Sequence, residues 1–522
     1  MEAMGLETSR ADSFHRIWMN SCGVMSAWLH TLVFLLLPVV WSCVEAESTC
    51  GDFLQLGFAV GQTSLSRKAP EALHTSSTSS ISHPWPHARG KVPGQFGTTD
   101  VVLALPHGPA NWTWHNPMGQ WEDMVAGGPV IDVEKNLYLM TMQGLWKFSP
   151  SGEVLWHYDT PGRSDNEPYL SGDSLFGSTT TGHVFAVDRH TGQELWSTRV
   201  AERAGGDAAY PASLDGVFVV PSSKWAGSTE ALPGGNTKIF GLHAETGDQL
   251  WEYQSDHVLW NLTPLFPDDG TFVYQTAEGH VFRLSLHNGT VIWKTELANM
   301  SDTFSDGGAV LGPNKIIYTC SNLEGRGKVG ERGVVRAFGL EKGNLIWEHI
   351  LTDPCCTFPA VGHVKGADSL AVVVTPGAFP GGSAHEPGSV VALDAETGSL
   401  LWRFNAAPHM SLFAAGDAER AAHLVLHGVS PHLIRQVCLP AQWSSPAISG
   451  DGAVYVGRMD GKLYVVHGAL TGSEIGELTK DPETGVYAHV QTVGSAPIHG
   501  ALGFADGLLG YATCDSLYVW QA

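Results

Sequence analysis

Two adjacent cysteines, Cys355 and Cys356, are the residues of this 522-residue chain whose type and spacing most directly suggest chemistry. In an oxidising compartment such a pair can close into a small disulfide ring that is flat, polarisable and strained. Either cysteine can also pair elsewhere. The chain has six cysteines from Cys50 onward, an even number that suits disulfides but leaves their connectivity open.

Acidic side chains near predicted strand starts, at Glu167, Asp302 and Asp306, are candidate general bases. In a chain with 52 acidic and 29 basic residues, however, most such side chains are simply solvated. No C-x-x-C spacing suggests a metal site, and no C-x-x-C-H motif suggests a haem. The net charge of −23, without a segregated basic patch, argues against a nucleic-acid partner because a polyanion is repelled by an acidic surface.

A repeated segment provides the elements that must position these residues. Residues 186–196 (AVDRHTGQELW) recur as 392–402 (ALDAETGSLLW), and weaker copies occupy 241–251 and 337–347. The shared core is a glycine followed four residues later by a tryptophan. It ends at Trp112, Trp156, Trp196, Trp251, Trp293, Trp347 and Trp402. A degenerate copy is Gly472/Gly476, where Thr484-Gly485 offers a rival turn.

Each copy has the pattern of two strands joined by a tight turn. Alternating apolar and polar residues precede the turn, as in HVFAVD and SVVALD, and the Thr-Gly dipeptide supplies a positive φ. Units of about 40–55 residues with three or four short strands match blades of a β-propeller. The copy at Trp112 precedes every other unit, whereas 495–522 lacks a turn of its own. We therefore predict an all-β, eight-bladed propeller of four-stranded antiparallel blades over residues 96–522, with residues 101–114 closing the C-terminal blade.

These residues resemble the pyrroloquinoline-quinone (PQQ)-type propeller repeat, whose consensus Ala-x-Asp-x-x-Thr-Gly-x-x-x-Trp is matched in full by 186–196 and 392–402. The resemblance extends over residues 100–522 and implies that the seven tryptophans dock between blades, as suits an indole that needs one acceptor. The quinoprotein alcohol dehydrogenases with this repeat imply a quinone over Ca²⁺ in the central channel, with Cys355 and Cys356 as the ring beside it. The chain is shorter than those enzymes, and no motif identifies the calcium ligands or the base.

The resemblance also includes the propeller lipoprotein of the bacterial outer-membrane barrel-assembly machinery, which is a scaffold. Three insertions favour a binding role here: 222–237, 321–332, and 407–442, in which 414–429 could form an amphipathic helix. We therefore expect a module that binds a protein, a peptide or a small ligand, with strand addition at a blade edge as one mode and no cofactor. The alternative is a PQQ- and Ca²⁺-dependent dehydrogenase.

The N-terminal region suggests targeting. An apolar run at 28–44 precedes Val44-Glu45-Ala46, so residues 1–46 are predicted to be a secretory signal or an uncleaved anchor. Residues 47–95 are rich in Ser and Thr and predict a flexible linker or a transit segment. The expected destination is extracellular or lumenal, with a plastid or a membrane-anchored state as alternatives. If the source is eukaryotic, the glycosylation motifs lie at Asn111, Asn261, Asn288 and Asn299.

Overall fold

Short strands with buried apolar residues are the main secondary structure, and in the computed structural model they form eight antiparallel sheets. The structure describes residues 81–90, 94, 97–103, 108–204, 210–224, 235–295, 304–306, 308–325, 327–379, 385–429, 442–471 and 477–522. Each sheet is one blade, and in blades 1–6 strands consecutive in sequence pair side by side. In blade 7 the last two strands are exchanged in the order of the sheet, and in the last blade the first strand of the propeller pairs at the outer edge. The prediction of an eight-bladed all-β propeller is confirmed.

The first elements are β1 (Trp112–His115) and α1 (Gly119–Asp123). Blade 1 contains β2 (Val130–Ile131), β3 (Leu137–Met140), β4 (Gly144–Phe148) and β5 (Val154–Asp159). Blade 2 contains β6 (Tyr169–Ser171), β7 (Ser174–Ser178), β8 (His183–Asp188) and β9 (Glu194–Arg199). Blade 3 contains β10 (Ala212–Leu214), β11 (Val217–Lys224), β12 (Asn236–His243) and β13 (Gln249–Leu259). Blade 4 contains β14 (Thr271–Gln275), β15 (Val281–Ser285) and β16 (Val291–Lys294), and Leu265 pairs with Val273 at its inner edge.

Blade 5 contains β17 (Val310–Leu311), β18 (Ile316–Asn322), β19 (Gly333–Gly339) and β20 (Leu345–Ile350). Blade 6 contains β21 (Ala360–His363), β22 (Leu370–Val374), β23 (Glu386–Asp394) and β24 (Leu400–His409), and α2 (Asp417–Leu426) follows it. Blade 7 contains β25 (Ala447–Ile448), β26 (Val454–Arg458), β27 (Lys462–His467), β28 (Leu478–Lys480) and β29 (Tyr487–Thr492). Blade 8 contains β30 (Pro497–Ala505), β31 (Leu508–Thr513) and β32 (Ser516–Gln521).

The ring closes through β1, which pairs antiparallel with β32 so that Trp112 lies opposite Val519 and His115 opposite Ser516. The predicted sharing of one blade between the two ends of the propeller is therefore confirmed. In blade 7 the rival turn is used: the Thr484 hydroxyl donates to the Asp481 carboxylate at 2.7 Å, and the Gly485 amide donates to the Asp481 carbonyl at 2.9 Å. Gly472 and Gly476 lie outside the described residues.

Tryptophans of the repeat connect neighbouring blades. Trp156, for example, lies on the outer strand of blade 1, and its indole N–H donates to the Arg189 carbonyl of blade 2 at 3.2 Å. Gly192 of blade 2 has a φ of +73° and lies so close to the Trp156 ring that an added Cβ would come within 2.8 Å of it. Glycine is therefore required there by both conformation and space. Equivalent indole-to-carbonyl bonds join Trp112, Trp196, Trp251, Trp293 and Trp347 to the following blade.

Candidate functional site

The two ends of the propeller differ in what they carry. Because blades 1–6 are antiparallel meanders, their first and third connections lie at one end, and their second connection and the link to the next blade lie at the other. We call the end with the turn glycines, such as Gly192 and Gly398, the turn face. We call the opposite end the loop face. There the connections of successive blades meet: the Phe358 amide donates to the Ser445 hydroxyl, and the Ser445 amide donates to the His499 carbonyl.

The central channel is filled by part of the chain's own N-terminal segment, since its described residues 81–90, 94 and 97–103 contact the inner strands of most blades. Trp85 pairs with Ile131 of blade 1, and His87 pairs with Tyr169 of blade 2. Further along, Gly94 accepts a 2.7 Å hydrogen bond from the Leu311 amide of blade 5. The segment then reaches the opposite side of the ring, where Thr98 pairs with Ile448 of blade 7 and Gly97 lies against Ala360 of blade 6.

The described residues of this segment are tightly packed against the blades. Trp85 is fully buried, and its ring lies 5.0 Å from that of Phe504 in blade 8. Gly97 has a φ of +82°, and a Cβ there would come within 2.5 Å of the Ala360 Cβ. The expectation of a flexible linker up to residue 95 is therefore corrected for residues 81–90, because their side chains are mostly buried against the inner strands.

Two ionisable side chains, Arg89 and Glu167, lie near each other inside the channel near the loop face. Arg89 is buried, donates to the Pro359 carbonyl at 2.7 Å and lies over the Phe358 ring. Glu167, also buried, accepts from the Gly500 amide at 3.1 Å. Burial raises the pKa of Glu167 to about 8, and the Gly128 amide and Arg89 offset this only in part. Burial also lowers the pKa of Arg89, to about 10.

The other candidate acids do not join this pair in an identifiable active site. Asp306 is buried beside Cys356, whose thiol pKa is raised first by burial and then by that carboxylate. Asp302 lies outside the described residues. Glu167 and Arg89 are enclosed by packed chain, so neither is placed to exchange a proton with a substrate arriving from solvent. The Arg89 bond instead holds the N-terminal segment at the start of blade 6, and the Glu167 bond joins the start of blade 2 to blade 8.

The cysteines pair differently from the predicted ring. Cys355 forms a disulfide with Cys320 of β18, with the two Cα atoms 5.9 Å apart. Cys356 is a buried free thiol whose sulfur accepts a hydrogen bond from the Asn322 side-chain amide at 3.1 Å. The Asn322 side-chain oxygen accepts from the Cys355 amide at 2.8 Å, so one side chain holds both cysteines. The expected Cys355–Cys356 ring is therefore corrected to a disulfide between Cys320 and Cys355.

A comparison with known families agrees with this architecture. The family model described as outer membrane protein assembly factor BamB matches residues 141–310, 182–357 and 331–416. Together these matches span 141–416, more than half of the chain. The chain belongs to the BamB family.

Curated relatives with the same description are distant in sequence. BamB of Yersinia pestis is 24% identical over 292 residues, which cover 54% of this chain and 65% of the relative. BamB of Burkholderia pseudomallei is 24% identical over 365 residues, which cover 62% of this chain and 84% of the relative. The chain thus spans less than two thirds of the Yersinia pestis protein, and 58% of the Nitrosomonas eutropha one.

Solved structures share the fold with this BamB-family chain. BamB from Moraxella catarrhalis aligns with a TM-score of 0.50 at 15% identity, covering 76% of this chain and 96% of that one. The quinohemoprotein alcohol dehydrogenase from Comamonas testosteroni aligns with a TM-score of 0.51 at 12% identity, covering 79% and 76%. At these identities both similarities show the propeller fold alone. The predicted resemblance to the PQQ-type repeat is confirmed by the family model together with this shared fold.

The residues of this BamB-family chain do not fit a quinone with its calcium ion. The channel space between the inner strands holds Trp85, His87 and Arg89. Cys355 is engaged with Cys320, so the ring expected beside a quinone is not formed. Within the described ranges, no group of three or more His, Cys, Asp or Glu side chains is placed to hold a metal ion. We therefore derive no chemistry through this cofactor.

The insertions of this BamB-family chain follow blade connections that open on the loop face. The first joins β11 to β12, with 225–234 outside the described residues, and 321–332 joins β18 to β19. The third carries α2, which confirms the predicted helix within 414–429. Gly416, just before α2, accepts from the Gln120 side chain at 2.9 Å. The helix buries Asp417 and Ala421 and leaves Leu426 84% exposed.

The glycosylation motifs divide by accessibility. Asn111 is exposed beside β1, and Asn288 is exposed in the hairpin turn of blade 4, where its side-chain oxygen accepts from the Thr290 amide. Asn261 has no exposed surface, so its predicted glycosylation is corrected. Asn299 lies outside the described residues. None of the helices in the described ranges is long and apolar enough to cross a membrane.

Sequence reasoning missed the channel segment. Its partners are far from it in the chain, by 270 residues for Arg89 with Pro359. One signal was present: the stretch HPWPHARG contains a tryptophan, two histidines, an arginine and two prolines within a Ser- and Thr-rich region. Bulky residues of this kind are unusual in a flexible linker.

Proposed function

We propose that this chain is a protein-binding scaffold that holds partner polypeptides on its loop face, in a compartment reached through the secretory pathway. The observation that carries the proposal is the filled channel: Trp85, His87 and Thr98 pair with inner strands of blades 1, 2 and 7 in the space in which a propeller enzyme would bind a cofactor. The surfaces left for binding are then the faces and the blade edges. Membership of a family described as an assembly factor supports the same role.

The loop face is the better binding surface of the two faces. It carries α1, α2 and the connection between β18 and β19, whereas the turn face has short, uniform hairpins. Insertions on a rigid repeat scaffold commonly carry its function. Exposed apolar side chains accompany them here, notably Trp121 of α1, Val329 of the β18–β19 connection and Leu426 of α2. Tryptophan and other large apolar side chains are enriched at protein interfaces.

The experiment is site-specific photo-crosslinking in the cells that produce the protein. A photoreactive amino acid replaces Val329 or Leu426 on the loop face, and Asp506, in the exposed β30–β31 turn of the opposite face, is the matched control. We expect discrete higher-mass products from the two loop-face positions and none from Asp506. Products from Asp506 alone, or from no position, would overturn the proposal.

A second measurement tests the rejected cofactor directly. Purified protein is mixed with PQQ and Ca²⁺, bound quinone is followed by absorbance, and dye reduction is followed with short alcohols. We expect neither stoichiometric uptake nor turnover, because the channel is filled. Uptake of one quinone per chain together with turnover would replace the scaffold with an enzyme.

Secretion and glycosylation are proposed together, from the N-terminal signal that the sequence predicts and from the exposed glycosylation motifs. In a eukaryotic secretory host we expect glycans at Asn111 and Asn288 and none at buried Asn261. Single Asn→Gln variants analysed by gel mobility test this. A mobility change for Asn261→Gln that glycosidase treatment abolishes would contradict the buried placement of Asn261.

A further inference from the structure

The outer strand of each blade has an outward edge, and in blade 5 that edge is apolar. In β20, Trp347 faces the following blade, so the alternate residues Ile346, Glu348 and Ile350 share the opposite side of the strand. Ile346 is 44% exposed and Ile350 is 50% exposed. Within the described residues, β20 ends the order of its sheet, since it pairs with β19 alone. Its edge therefore presents backbone groups beside two accessible aliphatic side chains.

Other blades have polar residues where blade 5 has Ile350. The residue three positions after the repeat tryptophan is Asp159 in blade 1, Arg199 in blade 2, Gln254 in blade 3 and Asn405 in blade 6. In blade 4 the outer strand ends at Lys294, one residue after its tryptophan. Charged and polar side chains on edge strands discourage pairing with another chain. Blade 5 lacks this protection at the corresponding position.

The strand with the apolar edge is also firmly held. The Cys320–Cys355 disulfide links β18 to the chain five residues after β20. Within the sheet, the buried Arg336 of β19 donates to the Glu348 carboxylate at 2.7 Å, which neutralises the one carboxylate between the two isoleucines. A rigid, neutral edge loses little conformational entropy when another strand pairs with it.

Blade 7 shows what covers such an edge in this fold. Its outer strand β29 carries an additional antiparallel strand, β28, with Leu478 opposite His489 and Lys480 opposite Tyr487. In β29, His489 takes the position that the repeat tryptophan takes in other blades, and the next residue is the aliphatic Val490. The propeller thus accepts a fifth strand outside a blade, and the strand it accepts is an extended segment of polypeptide.

We propose that the edge of β20 binds an extended segment of a partner polypeptide as a fifth, antiparallel strand of blade 5. Aliphatic side chains at alternate positions of that segment pack on Ile346 and Ile350, while its backbone pairs with β20. Basic residues at the ends of the segment favour its approach to a protein of net charge −23. This inference rests on the proposed scaffold function, because it assigns one of the surfaces through which a partner is held.

The test uses a fluorescein-labelled peptide in which valine and threonine alternate, with a lysine at each end, and fluorescence anisotropy as the readout. Ile350→Lys introduces at β20 the kind of charge that other edges carry. Leu155→Lys is the matched control, because Leu155 is 48% exposed on the outer strand of blade 1. Both positions are surface sites, and circular dichroism confirms that each variant folds.

We expect saturable binding to the wild type, at least tenfold weaker binding to Ile350→Lys, equivalent to about 1.4 kcal/mol, and unchanged binding to Leu155→Lys. A peptide with its central valine replaced by proline should bind no better than background, because proline removes a backbone donor. Absence of binding to the wild type, equal binding to Ile350→Lys, or loss in Leu155→Lys alone would each overturn the inference.

The result of the peptide-binding experiment can be distinguished from the result of the cross-linking experiment that tests the scaffold proposal. If the loop-face positions Val329 and Leu426 cross-link to partners but Ile350→Lys does not weaken peptide binding, strand addition at β20 is wrong and the scaffold proposal stands. If the peptide binds at β20 and the loop-face positions do not cross-link, the edge is a binding surface and the loop-face proposal is wrong. A photoreactive group on the peptide, mapped to residues 345–350 by mass spectrometry, gives a readout independent of affinity.

Discussion

Replacing Trp85 by alanine tests whether residues 81–103 are part of the propeller core. Trp85 is fully buried among blades 1 and 8, where it contacts Phe504 and exchanges backbone hydrogen bonds with Ile131 at 3.3 and 2.7 Å. Truncating a buried tryptophan removes its transfer free energy and leaves a cavity, which together cost about 3–5 kcal/mol. The indole N–H has no hydrogen-bond partner among the described residues, so Trp85→Phe is expected to cost clearly less than Trp85→Ala.

The assay is guanidinium-induced unfolding followed by circular dichroism, with Trp121→Ala as the control. Trp121 is partly exposed on α1, where its ring contacts the Arg420 guanidinium, and such a surface cation–π contact is worth about 0.5–1 kcal/mol. Hydrogen exchange adds a local measure: the Trp85 and Ile131 amides should be protected in the wild type and exchange faster in Trp85→Ala. If the two alanine variants cost the same, or if both amides exchange freely in the wild type, the segment does not fill the channel.

Three further predictions concern the blades, the buried carboxyl group and the cysteines. Trp251→Ala should lower the unfolding free energy by about 3–5 kcal/mol, because Trp251 is buried between blades 3 and 4. Denaturant titration measures this loss. A loss below about 1 kcal/mol would contradict inter-blade docking of the indole. The folded pKa of Glu167, about 8, exceeds its ordinary value of 4.5, so folded protein retains a proton that unfolded protein releases. The unfolding free energy should therefore fall from pH 5 to pH 8 by up to about 1.4 kcal/mol per pH unit. Glu167→Gln should remove this contribution to the pH dependence of the unfolding free energy. An unchanged pH dependence in the variant would contradict the buried, protonated state of Glu167. Digestion without reductant should yield Cys320 linked to Cys355, with Cys356 alkylated only after unfolding, whereas a Cys355–Cys356 ring with Cys320 free would contradict the pairing.

The blades could be predicted from the sequence because their determinants are local and repeated. Within each copy the turn glycine, the strand alternation and the tryptophan lie within about a dozen residues, as in 186–196. Repetition then supplied the blade count, and the unmatched copy at Trp112 indicated how the ring closes. Even the ambiguity in blade 7 was local, since the Asp481–Gly485 turn reproduces the hydrogen bonds of the Asp188–Gly192 turn.

The candidate site could not be predicted in the same way, because it is made of contacts between distant residues. Cys355 lies beside Cys356 in sequence, yet its disulfide partner Cys320 is 35 residues away and is brought close by the pairing of β18 with β19 and of β19 with β20. Arg89 meets Pro359 across 270 residues. Composition assigned the region around Arg89 to a linker, since Ser and Thr dominate the residues before it, and no periodicity marks a segment that pairs through isolated bridges.

Closing the ring and filling the channel are coupled by topology. The channel segment pairs through Thr98 with Ile448, and β1, which begins at Trp112 shortly after that segment ends, pairs with β32. Both partners lie near the C-terminus, so neither contact can form until blades 7 and 8 are present. Joining ends roughly 350–400 residues apart costs about 5 kcal/mol of chain entropy, and the burial of Trp85 with the pairing of β1 offsets that cost in one step. A chain that fails to complete blade 8 would therefore expose the channel and the open ring together, whereas ring closure leaves the faces and outer edges of the described blades for a partner.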